Sequence, residues 1–395
     1  MSDYIVIFLI VLALIAAVLR ADFILTLIYL FTGVFALGRW WSRKALSAVS
    51  ASRSFTQRAF LGDRVPVHLE VKNSSWLPVV WLQFHESLPV ELLLPGFVQQ
   101  VVSLGPRGKM QVDYLLEGRK RGYYPIGPLS LYSGDLFGLV GNQTTSINPD
   151  YLTVYPKIVP LSRVALPSHS PLGTLRHSQP VFEDPSRVFG KRDYVVGDSL
   201  RRVDWKSTAS TGRLQIKLFE PSIALETFIF LNLNAAEYEH RTRIDSGELA
   251  IVVAASLASW VIGRRQAAGL ATNGEDPLQE ENTPLPVPPR RGRAHLMRIL
   301  DVLARVRMAE TYPLVQLLRR EAAHLPWGTT LILITTRIDE DLFDELFQAR
   351  RAGLNTFLVP CGPLAGYSEI RKRAAHFGFP FYPMLDERDL DIWRH

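Results

Sequence analysis

The sequence predicts a doubly wound α/β domain in its C-terminal half, an antiparallel β-sandwich before it, and a transmembrane helical hairpin at the N-terminus. Three observations predict this. Two apolar runs open the chain. Period-two alternation broken by frequent Pro and Gly follows to about residue 160. From Leu214 onward short β-branched runs alternate with amphipathic stretches. The expected division is 1–45 for two transmembrane helices, 46–160 for the sandwich, 161–190 for a linker and 191–395 for the α/β domain.

The N-terminal segment contains Tyr4 to Leu19 and Phe23 to Leu37, both uncharged, separated by Arg20-Ala21-Asp22. Each is slightly shorter than the roughly 17 to 25 residues of a spanning helix. A hairpin and a single signal sequence are the two readings. The acidic start Met-Ser-Asp and the immediate second run favour the hairpin. Arg39, Arg43, Lys44, Arg53 and Arg58 then precede the first acidic residue, Asp63, and Trp40 and Trp41 sit where an interfacial belt is expected. The positive-inside rule puts this flank in the cytoplasm, with a lipid bilayer as the first partner.

In the sandwich region Val65, Val67, Leu69 and Val71 alternate with Arg64, His68, Glu70 and Lys72, and Met110, Val112, Tyr114 and Leu116 repeat the pattern. His68 is expected on the exposed face. The linker carries His169 and His177, eight residues apart with no Cys or paired carboxylates nearby, so no metal site is expected there.

In the α/β region Leu214–Phe219, Thr227–Leu233, Ala267–Ala271, Thr329–Thr335, Asn355–Val359 and Phe379–Tyr382 read as strands. The sequence Asp245-Ser-Gly-Glu248 reads as a capping box opening a core helix to Ile262, with an apolar stretch too short to span a membrane. Amphipathic helices are expected over 294–308, 313–325, 340–352 and 368–377.

Charge excludes some function classes. The chain has 44 Lys and Arg against 38 Asp and Glu, a modest excess that suits an anionic membrane surface better than nucleic acid. Cys361 is the only cysteine, which rules out an intrachain disulfide and CxxC zinc sites. It is expected to be a buried apolar residue. No phosphate-binding Gly-rich loop, nucleophile triad or deaminase zinc motif occurs, and no cofactor is expected.

The segment from Phe189 to Lys206 is the densest in chemistry. Arg192, Tyr194, Gly197, Asp198, Arg202, Asp204 and Trp205 are the candidate interaction residues. Arg201 and Arg202 can fork onto carboxylates supplied by Asp198 and Asp204. Gly197 permits a turn that a Cβ would resist. An ordered ion-pair site is expected, with Trp205 packed as its apolar anchor, Asp204 desolvated beside Arg202 or Arg192, and Asp193 more exposed.

The pattern R-x-Y-x-x-G-D-x-x-R-x-[VI]-D-W closely resembles the signature of the bacterial family called domain of unknown function 58. Lys120–Pro128 and Asp135–Leu139 also resemble it. Ala209-Ser210 stands where the family often shows an Ala-Arg pair. The resemblance implies a protein tethered to the bacterial inner membrane, a von Willebrand A-like α/β domain, and partnership with a MoxR-type AAA+ ATPase. Such domains hold Mg²⁺ with a D-x-S-x-S loop. The corresponding positions here are Asn232, Asn234 and Ala236, and Thr335-Thr336-Arg337 follows the later strand, leaving Asp339 as the one carboxylate that could reach the site. Metal binding is therefore expected to be lost. The leading expectation is a cytoplasm-facing scaffold without enzyme activity. The alternatives are a Mg²⁺-dependent binding receptor and a hydrolase using Asp193, Asp198 and Asp204.

Overall fold

In the computed structural model, residues 22–92, 99–133, 143–164, 183–195, 198–221, 226–279 and 284–394 are described, together with Ile7 and Val11. The chain divides into two units, Met1–Pro156 and Lys157–His395.

Apart from Ile7 and Val11, the apolar run expected over 4–19 lies outside the described residues, as does its connection at Arg20-Ala21. The second run forms helix α1 (Asp22–Ser47). Phe23, Tyr29, Leu30, Phe31 and Leu37 are exposed, and the helix is long and apolar enough to cross a membrane. Membrane anchors and signal sequences share that property. The helix does not end at Leu37. It continues through Arg39, Arg43 and Lys44, so the basic flank belongs to its carboxyl end, where cations suit the helix dipole. Trp41 departs from the expected lipid belt: it packs on the core of the first unit and donates Nε1–H to the Pro78 carbonyl at 3.0 Å.

The first unit is β-sandwich-like. Its strands are β1 (Val49–Ser54), β2 (Arg58–Phe60), β3 (Arg64–Asn73), β4 (Val79–Glu86), β5 (Gln99–Leu104), β6 (Lys109–Glu117), β7 (Gly122–Ile126), β8 (Leu129–Ser133), β9 (Gln143–Ile147) and β10 (Asp150–Tyr155). They form sheets ordered β1-β3-β6, β2-β10-β7 and β5-β4-β8-β9. β3 shows the expected alternation in full: Val65, Val67, Leu69 and Val71 are buried and the residues between them exposed. His68 is exposed and lies 2.7 Å from Asp113.

A charged cluster interrupts the apolar core. Arg53 and Glu86 form an ion pair with both side chains covered, and Arg53 also reaches Asp150 at 3.0 Å. The Tyr114 hydroxyl donates to the other Glu86 oxygen. Burial works against the Arg53 charge, but Glu86 and Asp150 outweigh it and raise its pKa. Burial, reinforced by Glu86, pushes the Tyr114 hydroxyl well above its usual value. Gly127, at φ +105°, lies against this guanidinium: a Cβ there would stand 2.6 Å from Arg53 Nη2.

The second unit begins at Lys157, four residues before the expected linker, and the start of that linker is tied into it. The Val159 N–H donates to Ser256 Oγ at 2.9 Å and the Ser162 N–H to the Trp393 carbonyl at 2.7 Å. Residues 183–190 are not linker either. They belong to β11 (Glu183–Asp193), which pairs antiparallel with β12 (Gln215–Pro221), and helix α2 (Trp205–Thr211) lies in the connection. The strand expected from Leu214 therefore sits in a separate two-stranded hairpin and not in the main sheet. His169 and His177 lie outside the described residues.

The main sheet contains β13 (Glu226–Leu231), β14 (Ala267–Thr272), β15 (Val287–Arg290), β16 (Thr330–Thr335) and β17 (Asn355–Pro360), in the order β15-β14-β13-β16-β17. All pairings are parallel except the edge strand β15. Five helices accompany it: α3 (Arg243–Gly263), α4 (Arg293–Arg305), α5 (Leu314–Ala322), α6 (Glu340–Arg351) and α7 (Tyr367–His376). Phe228, Phe230, Leu331 and Leu333 pack with Leu317 and Leu318 of α5 and Leu342 and Leu346 of α6. The central strands are buried on both faces, which explains their continuous apolar runs.

α3 is apolar all round because it is core, not membrane. It begins three residues before the expected cap: Thr242 is its N-cap, Asp245 lies in its first turn, and Ser246 and Gly247 are buried. Residues 379–382 make only isolated bridges, such as Leu358 with Phe381, because the prolines at 380 and 383 deprive the segment of ladder donors. Cys361 at the end of β17 is fully buried, and burial drives its thiol pKa far up.

Candidate functional site

The hairpin of β11 and β12 carries the signature. Its charges pair locally and in an order the sequence did not disclose. Arg192 holds Asp198 through two hydrogen bonds of 2.7 and 2.6 Å, and the Val195 N–H donates to Asp198 at 2.9 Å. The Arg192 fork, helped by that N–H, pulls the Asp198 carboxyl below its usual range. Asp204 is nearly covered, as expected, but its partner is Lys191 at 2.7 Å and not an arginine. Asp204 also caps α2, accepting from the Ser207 N–H at 3.2 Å. Lys191 first and the Ser207 N–H second lower its pKa to about 2. Asp193 is open to solvent and meets Gln215 and, at 4.0 Å, Arg213. Backbone bonds complete the frame: Tyr194 N–H donates to Leu214 C=O at 2.8 Å, and Asp204 N–H to Gln215 C=O at 2.8 Å. Gly197 lies outside the described residues.

Trp205 contradicts the expectation of an apolar anchor: 69% of it is exposed. It is the first residue of α2, and an N-terminal position on a two-turn helix aims its ring outward once Asp204 turns in to cap. Leu200 and Val195 are likewise 64% and 61% exposed. The apolar residues that the hairpin does bury are Val203 and Ile216, which form a bridge. Arg201 and Arg202 lie exposed beside Leu200 in a 3₁₀ turn. Seven Lys and Arg face three Asp between residues 191 and 217. Each Asp is engaged by a different partner, so the three carboxylates do not gather into one centre. Among the described residues no group of His, Cys, Asp and Glu is arranged to hold a metal.

The second candidate lies at the carboxyl ends of the parallel strands, where the strand order reverses between β13 and β16. Asn232 follows β13 and is buried. Its Nδ2 donates to Glu237 at 2.6 Å and to Thr335 Oγ1 at 2.9 Å, while its Oδ1 accepts from Asn234 N–H at 3.1 Å and Asn273 Nδ2 at 3.0 Å. Both donors and both lone pairs of the amide are thus used by protein. Asn234 accepts from the Ala236 and Thr311 N–H groups, each at 3.2 Å. Asp339 is engaged elsewhere: it caps α6 through Leu342 N–H at 3.1 Å and pairs with Arg337 at 3.3 Å. Glu237 was not singled out from the sequence. Burial raises its pKa, and bonds from Asn232 and from the Leu314 N–H moderate the rise. Asn273 was also missed, although an Asn directly after a parallel strand repeats the placement of Asn232.

Residues 190–328 match the family model described as Protein of unknown function DUF58. The uncharacterized protein YeaD of Bacillus subtilis (strain 168) is 26% identical over 245 residues, covering 60% of this chain and 59% of that protein. The chain therefore spans somewhat more than half the length of this relative. Among solved structures, the CARDB domain of the PF1109 protein from Pyrococcus furiosus, crystallised with di-metal ions, is similar at 15% identity. It covers 27% of this chain and 91% of its own, with a TM-score of 0.21. The native conformation of E. coli alpha-2-macroglobulin is similar at 16% identity over 36% of this chain and 9% of its own, with a TM-score of 0.23.

Proposed function

We propose that this protein, with its DUF58 match over residues 190–328, is a membrane-anchored interaction module that docks a protein partner on the signature hairpin. α1 serves as the anchor in the bacterial cell membrane and both units face the cytoplasm. The five-stranded sheet is read as a von Willebrand A-like scaffold: its order and antiparallel edge strand suit a doubly wound domain. One observation carries the reading. Trp205 stands outward on a hairpin whose Asp204 and Asp198 are already held by Lys191, Arg192 and the backbone. An exposed Trp beside arginines on a fixed frame is the composition of an interface hot spot. By family resemblance the partner is a MoxR-type AAA+ ATPase.

A Mg²⁺-dependent receptor is disfavoured by the filled valences of Asn232. A hydrolase is disfavoured by the separate pairing of the three Asp residues. The test is affinity capture from bacterial membranes with and without ATP, using wild type and Trp205→Ala. Loss of an ATPase partner in the variant supports the proposal. Undiminished capture by the variant refutes it.

A further inference from the structure

A second charged surface lies at the opposite end of the main sheet from Asn232. Arg264 caps the carboxyl end of α3, and Arg265 follows at φ +61°. These two lead directly into β14. The edge strand β15 runs antiparallel, with Arg290 opposite Ala268, so its end returns beside the start of β14. Arg291 follows, Gly292 turns the chain at φ +98°, and Arg293 opens α4. Topology thus gathers Arg264, Arg265, Arg290, Arg291 and Arg293 at one edge, all exposed. Glu226, at the start of β13, is the one carboxylate coupled to them among the described residues, through Arg291.

Arg264 also lines a cavity of about 290 Å³ between the last turns of α3 and residues 159–162. Its guanidinium lies 4.5 Å from the Trp260 ring and donates to the Ser162 carbonyl at 3.0 Å. Ser259 is a further serine of the lining, whereas the Ser162 hydroxyl donates to the Arg394 carbonyl at 2.7 Å. A recess with a serine side chain and one guanidinium in its lining, on the same element end as the other arginines, has the chemistry to take a phosphodiester with a polyol attached.

We infer that this arginine edge docks the headgroups of anionic phospholipid, phosphatidylglycerol being the type. A nucleic acid fits less well. The nearest ring, Trp260, is buried under Arg264 and offers no face for a base. The inference rests on the anchor reading of α1 only in that an anchored chain has a bilayer within reach. Each arginine near an anionic surface is expected to contribute about fivefold in affinity.

The experiment uses the full chain in dodecyl maltoside micelles, titrated with dioctanoyl phosphatidylglycerol and followed by amide hydrogen exchange. Protection of residues 264–266 and 290–293 is expected with phosphatidylglycerol and not with dioctanoyl phosphatidylcholine. The Arg290→Gln, Arg293→Gln double variant should weaken it roughly 25-fold. Equal protection by phosphatidylcholine, or by inorganic phosphate at the same concentration, would overturn the proposal. So would unchanged affinity in the double variant, or tighter binding of a single-stranded oligonucleotide. Carbonate extraction of α1 from membranes reports on the anchor separately. Release of the chain there leaves the micelle titration readable.

Discussion

Single residues in the signature divide into those that hold the hairpin and one that does not. Trp205→Ala should leave stability within about 0.5 kcal/mol of wild type, because an exposed side chain takes little packing with it. Thermal unfolding checks this, and a large drop in melting temperature would return Trp205 to the core. Asp204 has the reverse role. Its pKa is pulled down to about 2 in the folded chain, below the ordinary value of an aspartate, by Lys191 and the Ser207 N–H. Its contribution is therefore complete above the unfolded-state pKa and is lost as pH falls through the folded value. Asp204→Asn should melt below wild type at pH 7, and the gap should close between about pH 4 and pH 2. A gap that persists at pH 2 would assign the effect to the cap geometry and not to the charge. At the carboxyl end of β13, the central strand, Asn232→Asp replaces two donors with a carboxylate facing Glu237. The cost should be about 3 kcal/mol, within the range for stranded buried charge. The Asn232→Asp, Ala236→Ser variant should recover part of it with added Mg²⁺, whereas wild type should show no Mg²⁺-dependent shift in melting temperature.

Elements were legible in proportion to their periodicity. β3 could be read residue by residue because one face is wet and one dry, and β16 because a central parallel strand is apolar throughout. The strand from Glu183 was not legible. Its Pro185 and mixed charges resemble a linker, and only pairing with β12 makes it a strand. The start of α3 was misplaced because Asp245 and Glu248 mimic a capping box, while tertiary burial of Ser246 and Gly247 continues the helix through them. The outward Trp205 was missed for a related reason: residue type marks it as core, and its position at the start of α2 overrides the type. The Arg53–Glu86 pair joins residues 33 apart in sequence and has no local signal. It yields a sharp expectation for its element. Glu86→Gln should cost about 3 kcal/mol, the lower end for a broken buried pair, because the guanidinium loses its covered carboxylate and keeps Asp150. Gly127→Ala should destabilise the same place by more than about 1 kcal/mol, since the added Cβ meets the guanidinium in a backbone conformation that disfavours it. Chemical denaturation of both variants checks this, and wild-type midpoints would remove the pair from the core of the first unit.

The chain divides into two units, each with its own core, and among the described residues two long apolar helices differ in burial: α1 is mostly exposed and α3 mostly buried. Composition alone cannot separate α1 from α3; burial does. Alkaline carbonate should leave the full chain in the membrane fraction, and deletion of residues 1–37 should release it. Release of the intact chain would remove α1 as an anchor. Leu257→Ala in α3 should instead cost about 2 to 5 kcal/mol. The sole thiol gives this architecture a built-in clock. Cys361 is sealed within the second unit, so a maleimide cannot reach it until that unit opens. The labelling rate in native buffer then counts openings of the second unit while ignoring the first. A probe placed on an introduced cysteine near Trp205 would report the docking face with the native thiol silent.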